Sequence, residues 1–291
     1  MIGLLRNFIV VVRQSIIDFR YNYKHIMAHS KETDEINFSR LRMFCHMLDK
    51  GMNNIHFEKG HSQSVYNIAV KLRNQLGSLY KDDPAFLWAD EIIGRFEMAQ
   101  LDGHPALESR ENVVYSKQQI DEYTCFITTR TSCRNFLKKE IPSSVLKEIV
   151  RIAIDAPNSC CRQVVRYYIT QNEEKIKQTI PHVAGITNFS NIQCLVCVAA
   201  ETSYYELTDK NLRFVDASLS AENFILGASL YGVYGTMCNF FHASEQEISI
   251  CKDLFDVGDT ESIIMFIAMG YPTNIPQKPT RRNLQLFYKV I

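Results

Sequence analysis

Apolar positions in the first 110 residues recur at helical spacing. Alternating steps of three and four residues connect the apolar side chains of the first segment: Ile2, Leu5, Ile9, Val12, Ile16, Phe19 and Tyr23. This heptad-like seam predicts a helix that packs on the rest of the chain, with a helix lying on a membrane surface as the alternative. Further helices are predicted over 34–50, from Val65 to Leu79, and from Pro84 onward. Residues 103–116 form the predicted linker.

Beyond the linker, helical patterns alternate with short apolar runs that predict strands. Helices are expected over 116–128, 145–156, 172–180, 209–231 and 244–255. Strands are expected over 164–170, 192–201 and 262–272. The tail that ends at Ile291 is predicted to be an extended arm. The pattern therefore predicts a part of mixed helix and strand after an all-helical N-terminal part.

The composition excludes several classes of protein. Lys plus Arg and Asp plus Glu each number 32, and a zero net charge argues against a dedicated nucleic-acid binder. With 46% hydrophobic and 22% charged residues, the chain resembles an ordinary globular protein. No stretch reaches the ~18 apolar residues of a transmembrane segment, and the N-terminus lacks a secretory cleavage site. Nine cysteines, an odd number, then predict a reduced, cytoplasmic protein with mostly buried thiols.

The zero net charge conceals an uneven distribution of charge. Residues 130–166 carry eight basic and three acidic side chains, and residues 270–291 carry four basic and no acidic ones. Residues 167–269 reverse this, with five basic and 13 acidic side chains. Scattered surface charge is one interpretation. The other is that both basic segments meet around one anion, and the planar donors of Arg favour phosphate.

Two patterns that contain metal-ligand residue types are weak. Cys194 and Cys197 form a CxxC, but positions three apart in a strand point to opposite faces and cannot chelate one metal ion. His46 and His56 have no carboxylate or thiol partner at ligand spacing, so solvent-facing or capping roles are expected. We therefore predict no metal site.

Motifs after residue 116 carry more information about function. RTSCRNF at 130–136 is followed by APNSCCRQ at 156–163, the long helix DASLSAENFILGASLYGVYG, the strand SIIMFIAMGYP and the basic tail KPTRR at 278–282. In this order and spacing they resemble the nitroreductase family of flavin enzymes, whose members show Arg-x-Ser-x-Arg-x-Phe and then Ala-Pro-Ser-Ser-x-Asn-x-Gln. The resemblance implies an α+β fold with a nitroreductase-like central mixed β-sheet flanked by helices. It divides the chain into a helical N-terminal extension, 1–110, and an FMN-binding domain, 111–291.

The resemblance also implies an FMN-dependent oxidoreductase. NAD(P)H would be the reductant, and a nitro compound, a quinone or an unidentified metabolite would be the electron acceptor in a ping-pong cycle. Arg130, Ser132 and Arg134 would hold the phosphate and ribityl chain, and Arg281 or Arg282 would close from the tail. The alternative for Arg130 and Arg134 is that they satisfy carbonyls at a helix C-terminus. No catalytic side chain is predicted.

The ring edge of the flavin would be lined by the loop after the second helix of the domain: Pro157, Asn158, Ser159, Cys161 and Gln163. Backbone groups near Cys238 and Asn239, at the turn after the long helix, would reach the N5 side. Cys161 stands where the family usually has the Asn that touches the ring. A thiol is a poor hydrogen-bond donor, so weaker flavin binding, an altered potential, a changed substrate or lost activity would follow.

Residues 1–110 lie outside the common nitroreductase core. They resemble an N-terminal extension of nitroreductase-like proteins from bacterial surface-polysaccharide clusters. The alternative function is therefore a degenerate nitroreductase fold that acts as a binding or scaffold protein in surface-polysaccharide biosynthesis. The family resemblance also implies a homodimer, because its flavin sits at an interface built from both chains.

Overall fold

The computed structural model describes residues 2–30, 32–54, 56–105, 112–209 and 211–291. Within these ranges, the side chains of residues 2–7, 10, 14, 21, 25, 29 and 207 are not described. The predicted linker falls partly outside the description, which does not include residues 106–111.

The N-terminal part is helical, as predicted. Its helices are α1 (Ile2–His29), α2 (Asp34–Met52), α3 (Gln63–Tyr80) and α4 (Pro84–Asp102). The Thr33 side chain caps the start of α2, and Gly103, with a φ of 81°, ends α4 in the left-handed conformation that glycine adopts readily. Helices α2, α3 and α4 bury their apolar faces against one another in a core that includes Leu41, Leu76 and Phe96.

The second part combines helices with one antiparallel sheet. Its elements are α5 (Lys117–Thr129), α6 (Ser143–Ile154), β1 (Val165–Thr170), α7 (Glu173–Thr179), β2 (Cys194–Glu201), α8 (Leu212–Leu230), β3 (Tyr234–Asn239), α9 (Glu245–Phe255) and β4 (Glu261–Gly270). The strand order is β1-β2-β4-β3, and each neighbouring pair is antiparallel. A parallel bridge between Asn135 and Ser190 lies beside the sheet. The predicted α+β fold with a central sheet is confirmed.

Apolar cores cover both faces of the sheet. On one face, side chains of α6 and α8 such as Ile149 and Phe224 pack on β1, β2 and β4. On the other face, Phe136 and residues of α7 and α9 pack on the same sheet. Cys194 belongs to the first core and Cys197 to the second, so the prediction that they face opposite sides is confirmed. Six of the nine cysteines are buried, as expected.

Two elements differ from the sequence predictions. Strand β3 occupies the place where a turn was expected. Its side chains alternate as in a strand, since Thr236 and Cys238 point into the protein while Met237 points outward. The seam of α1 was expected to pack on the rest of the chain. Its described side chains do not do so, since Ile16 is 49% and Phe19 72% exposed.

Among the residues that the structure describes, no helix has the length and apolar character needed to cross a bilayer.

Candidate functional site

The two basic segments of the sequence meet at a cavity of about 380 Å³ beside β3. Its walls come from α5, the segment after it, α8, β3 and the tail: Ile127, Arg130, Ser132, Glu222, Ile225, Gly235, Met237, Lys278 and Arg281. Three of these side chains are cations, and Glu222 is the acidic side chain among them. The arrangement favours an anion, because guanidinium and ammonium groups form charge-assisted hydrogen bonds with phosphate.

The backbone after α5 explains why Arg130 and Ser132 line this cavity. Arg130 leaves the helix with φ −53° and ψ 128°, and burial then alternates along the segment. Thr131 and Cys133 are buried, and the Thr236 hydroxyl donates to the Cys133 carbonyl at 2.7 Å. This bond ties the segment to β3, so the intervening side chains are left on the cavity side.

The tail is anchored at the end of α5. Lys278 Nζ donates to the carbonyl oxygen of Thr128 at 2.7 Å. The last carbonyls of a helix lack intrahelical partners and favour a cation, which explains this contact. Lys278 thus has the role at the helix C-terminus that was the alternative for Arg130. The tail that Lys278 anchors brings Arg281 to the cavity wall.

The remaining residues predicted for the phosphate and N5 regions lie elsewhere. The Arg134 guanidinium is 5.8 Å from the ring centre of Phe189. Arg282 is exposed and does not line the cavity within the described part of the chain. Cys238 is buried and its thiol donates to the Thr236 carbonyl, whereas the Asn239 side chain accepts from the backbone of Phe241. Met237, one residue earlier, is the β3 side chain at the cavity, because side chains of a strand alternate between its faces.

The predicted ring-edge residues form a second, separate cluster. Among the described residues, none of the loop 157–163 lines the cavity. Cys160, Cys161 and Gln163 have φ values of 52°, 55° and 52°. Left-handed backbone is uncommon for residues with side chains, so the loop needs support from its surroundings. Part of this support comes from within the loop, since the Asn158 side chain accepts a hydrogen bond from the Gln163 backbone N–H at 2.9 Å.

Helix α8 supports the loop through Asp216. Its carboxyl group is 2% exposed and accepts the Ser159 backbone N–H at 3.1 Å, the Ser159 hydroxyl at 2.8 Å and the Tyr205 hydroxyl at 2.7 Å. Burial raises the pKa of Tyr205, and the hydrogen bond to Asp216 acts in the same direction. Tyr205 is therefore a neutral donor, and Asp216 joins the loop to the core of the domain.

Helix α2 of the N-terminal part supports the loop from the other side. Arg42 Nε donates to the Cys161 carbonyl at 2.7 Å, and His46 Nδ1 lies 3.5 Å from the Cys161 sulfur. Burial raises the pKa of the Cys161 thiol, although the Arg42 charge opposes this. His46 was expected to face solvent or cap a helix. The sequence gives no signal for this contact, because 115 residues separate His46 from Cys161.

We expect Arg42→Ala to lower the free energy of unfolding by about 1.5–3 kcal/mol, the range for a hydrogen bond to a charged group. Arg42 is 8% exposed, so its removal leaves the Cys161 carbonyl without this donor in a poorly hydrated place. Urea unfolding followed by circular dichroism measures the change. Lys71→Ala, which removes an exposed cation of α3, should stay within about 0.5 kcal/mol of wild type. Equal midpoints for the two variants would contradict a role of Arg42 in holding the loop.

Comparisons with known proteins agree with this fold. Residues 127–195 match the model of the Nitroreductase family. A curated protein of Methanothermobacter thermautotrophicus, named provisionally as an NADH dehydrogenase/NAD(P)H nitroreductase, is 22% identical over 153 residues, 52% of this chain and 77% of that protein.

Solved structures extend the likeness across the sheet. A nitroreductase-like protein of Streptococcus mutans matches with a TM-score of 0.53 and 16% identity, over 59% of this chain and 99% of that one. A hypothetical oxidoreductase of Bacillus subtilis matches with a TM-score of 0.52 and 15% identity, over 57% of this chain and 72% of that one. This chain therefore carries a nitroreductase-family segment at residues 127–195, within a sheet-bearing part that has the nitroreductase fold and follows a helical N-terminal part.

Proposed function

We propose that this chain is an FMN-dependent oxidoreductase, which takes electrons from NAD(P)H and delivers them to a small-molecule acceptor in a ping-pong cycle. The acceptor class comprises nitro compounds, quinones and a metabolite that is not identified. The observation that carries the proposal is the convergence of Arg130 and Ser132 with Lys278 and Arg281 on one cavity. The family match and the resemblance of the flanking motifs support FMN as the cofactor.

The donor set of the cavity fits the phosphate end of FMN. Arg130 and Arg281 offer planar forks of N–H donors, Lys278 adds a point charge, and the Ser132 hydroxyl adds a neutral donor. Glu222 is an acceptor that suits hydroxyl groups such as those of a ribityl chain. When bound, FMN would supply the hydride-transfer chemistry, and the chain supplies binding, orientation and electrostatics.

The loop 157–163 is the part of the chain that we assign to the ring edge. Left-handed φ values at Cys160 and Cys161 set the direction of its backbone groups. Arg42 holds the Cys161 carbonyl and Asp216 holds Ser159, so the loop is ordered in advance. Preorganised donors stabilise charge that develops during a reaction better than mobile ones do.

A homodimer would unite the two clusters. Each site would combine the cavity of one protomer with the loop of its partner. Two features support this proposal. Helix α5 buries none of its described side chains although it carries Ile120 and Tyr123, and the tail exposes Phe287 at 66% and Val290 at 86%. Such apolar surface is typical of protein interfaces.

Absorbance spectroscopy tests the proposed function directly. We expect the purified protein to be yellow, or to become yellow with added FMN, and the visible flavin absorbance to bleach anaerobically on addition of NAD(P)H. Denaturation should release FMN, which chromatography identifies. A colourless protein that takes up no FMN would overturn the proposal.

The alternative function is a binding or scaffold role in surface-polysaccharide assembly. The contact of Arg42 and His46 with the ring-edge loop favours it, because the N-terminal part then covers backbone that a flavin enzyme would present to its ring. The same spectrum separates the two functions, since a scaffold with a degenerate site has no need for flavin.

A further inference from the structure

Helix α1 presents an unpartnered apolar face. Six large side chains along it are between 39% and 72% exposed: Ile9, Val12, Ile16, Phe19, Tyr23 and Ile26. On the helical repeat, the buried Ala28 lies on the opposite side of the helix, toward the protein. The seam is therefore open to solvent over a length of about 26 Å, given a rise of about 1.5 Å per residue.

The spacing of the seam specifies what covers it. Ile9, Ile16 and Tyr23 are seven residues apart, and each is followed three residues later by another apolar seam residue. A strict seven-residue repeat is the pattern with which one helix packs against another in a coiled coil. A groove of about 550 Å³ between α1 and the start of α9 lies alongside, and Ile9 and Ile16 belong to its wall. The seam and groove together are shaped for a second helix.

One cation beside the seam is paired within the chain. Arg20 Nη1 contacts both carboxylate oxygens of Glu245, at 2.7 and 2.9 Å. A paired Arg20 repels its counterpart across a symmetric interface less than a free arginine would, and it is less attracted to an anionic membrane surface.

We infer that α1 pairs along this seam with α1 of a second copy of the chain. A twofold interface places the same surface on both partners, and a heptad seam is complementary to itself. The interface shares no residue with the cavity or with loop 157–163, so it is distinct from the dimer proposed for the flavin site. Where both interfaces form, the chain assembles into a pair of dimers.

Light scattering of the full chain tests the pairing. We expect Ile16→Glu combined with Phe19→Glu to halve the molar mass, because two charges would face their symmetry mates in the seam. Leu79→Glu places the same substitution on α3, where Leu79 is 61% exposed, and should retain the wild-type mass. Glu is a good helix former and both seam residues are exposed, so circular dichroism and flavin content should match wild type.

An equal mass for wild type and the seam variant would overturn the pairing. Flotation with vesicles of phosphatidylglycerol and phosphatidylcholine tests the alternative that the seam binds a membrane. If the wild type binds vesicles and the seam variant does not, while the two have the same mass, the seam belongs to a lipid surface and the pairing is overturned. A colourless protein whose mass halves in the variant would support the pairing while the proposed flavin function fails.

Discussion

Replacement of both Arg130 and Arg281 by alanine is expected to abolish FMN retention during purification. Each guanidinium lines the cavity, and loss of one charge-assisted contact to a phosphate weakens binding roughly 10- to 100-fold. The two contacts come from opposite ends of the domain sequence and act on one anion. The double variant should therefore raise the Kd for FMN by roughly 10²- to 10⁴-fold, measured by quenching of flavin fluorescence.

Matched single variants sharpen this experiment. Arg281→Lys keeps the charge and loses the planar fork, so it should bind FMN more tightly than Arg281→Ala. Arg282→Ala should stay close to wild type, because Arg282 does not belong to the described cavity wall. Arg151→Ala removes an exposed arginine of α6 and controls for net charge. An unchanged Kd in the double variant, or a larger loss from Arg282→Ala, would contradict the assignment of the phosphate site.

The regular elements of the fold could be predicted because their patterns are local. The buried strands β2 and β4 are continuous apolar runs, and Pro84 and Ser244 mark helix starts that the structure places within one residue. The fold was implied by the resemblance of the ordered motifs, among them RTSCRNF and APNSCCRQ with α6 between them, to the nitroreductase family. One interpretation of the charge asymmetry was that the two basic segments meet around an anion, and the resemblance named Arg130 with Arg281 or Arg282. Arg130 and Arg281 line one cavity.

The elements that were missed depend on contacts distant in sequence. Strand β3 is only six residues long, and its alternation of buried Thr236 and exposed Met237 is too short to distinguish from a turn after a long helix. Arg42 and Cys161 are separated by 119 residues, and nothing local marks either as a partner. A seam such as that of α1 indicates that a helix is covered without indicating whether the cover comes from the same chain. The division at residue 110 remains a prediction.

Replacement of Asp216 by alanine is expected to cause a large loss of stability. Its carboxyl group accepts three hydrogen bonds, two from Ser159 and one from Tyr205, in a place only 2% exposed. Each buried donor left without an acceptor costs about 1–3 kcal/mol, so the free energy of unfolding should fall by about 3–5 kcal/mol. Water cannot readily take the place of the carboxyl group, because Tyr205 is fully buried.

Urea unfolding measures this loss, and Asp216→Asn shows what it means for the loop. The asparagine keeps one acceptor oxygen, so we expect a smaller loss of stability, while the loop loses part of its attachment at Ser159. If the loop lines the ring edge, Asp216→Asn should also raise the Kd for FMN although Asp216 does not line the cavity.

Asp253→Ala, on the exposed side of α9, is the control. A midpoint for Asp216→Ala equal to that of Asp253→Ala would show that α8 does not hold the loop. If Asp216→Asn is destabilised but binds FMN as tightly as wild type, the loop does not line the ring edge. A loop that touched the ring could not lose its attachment without weakening the complex.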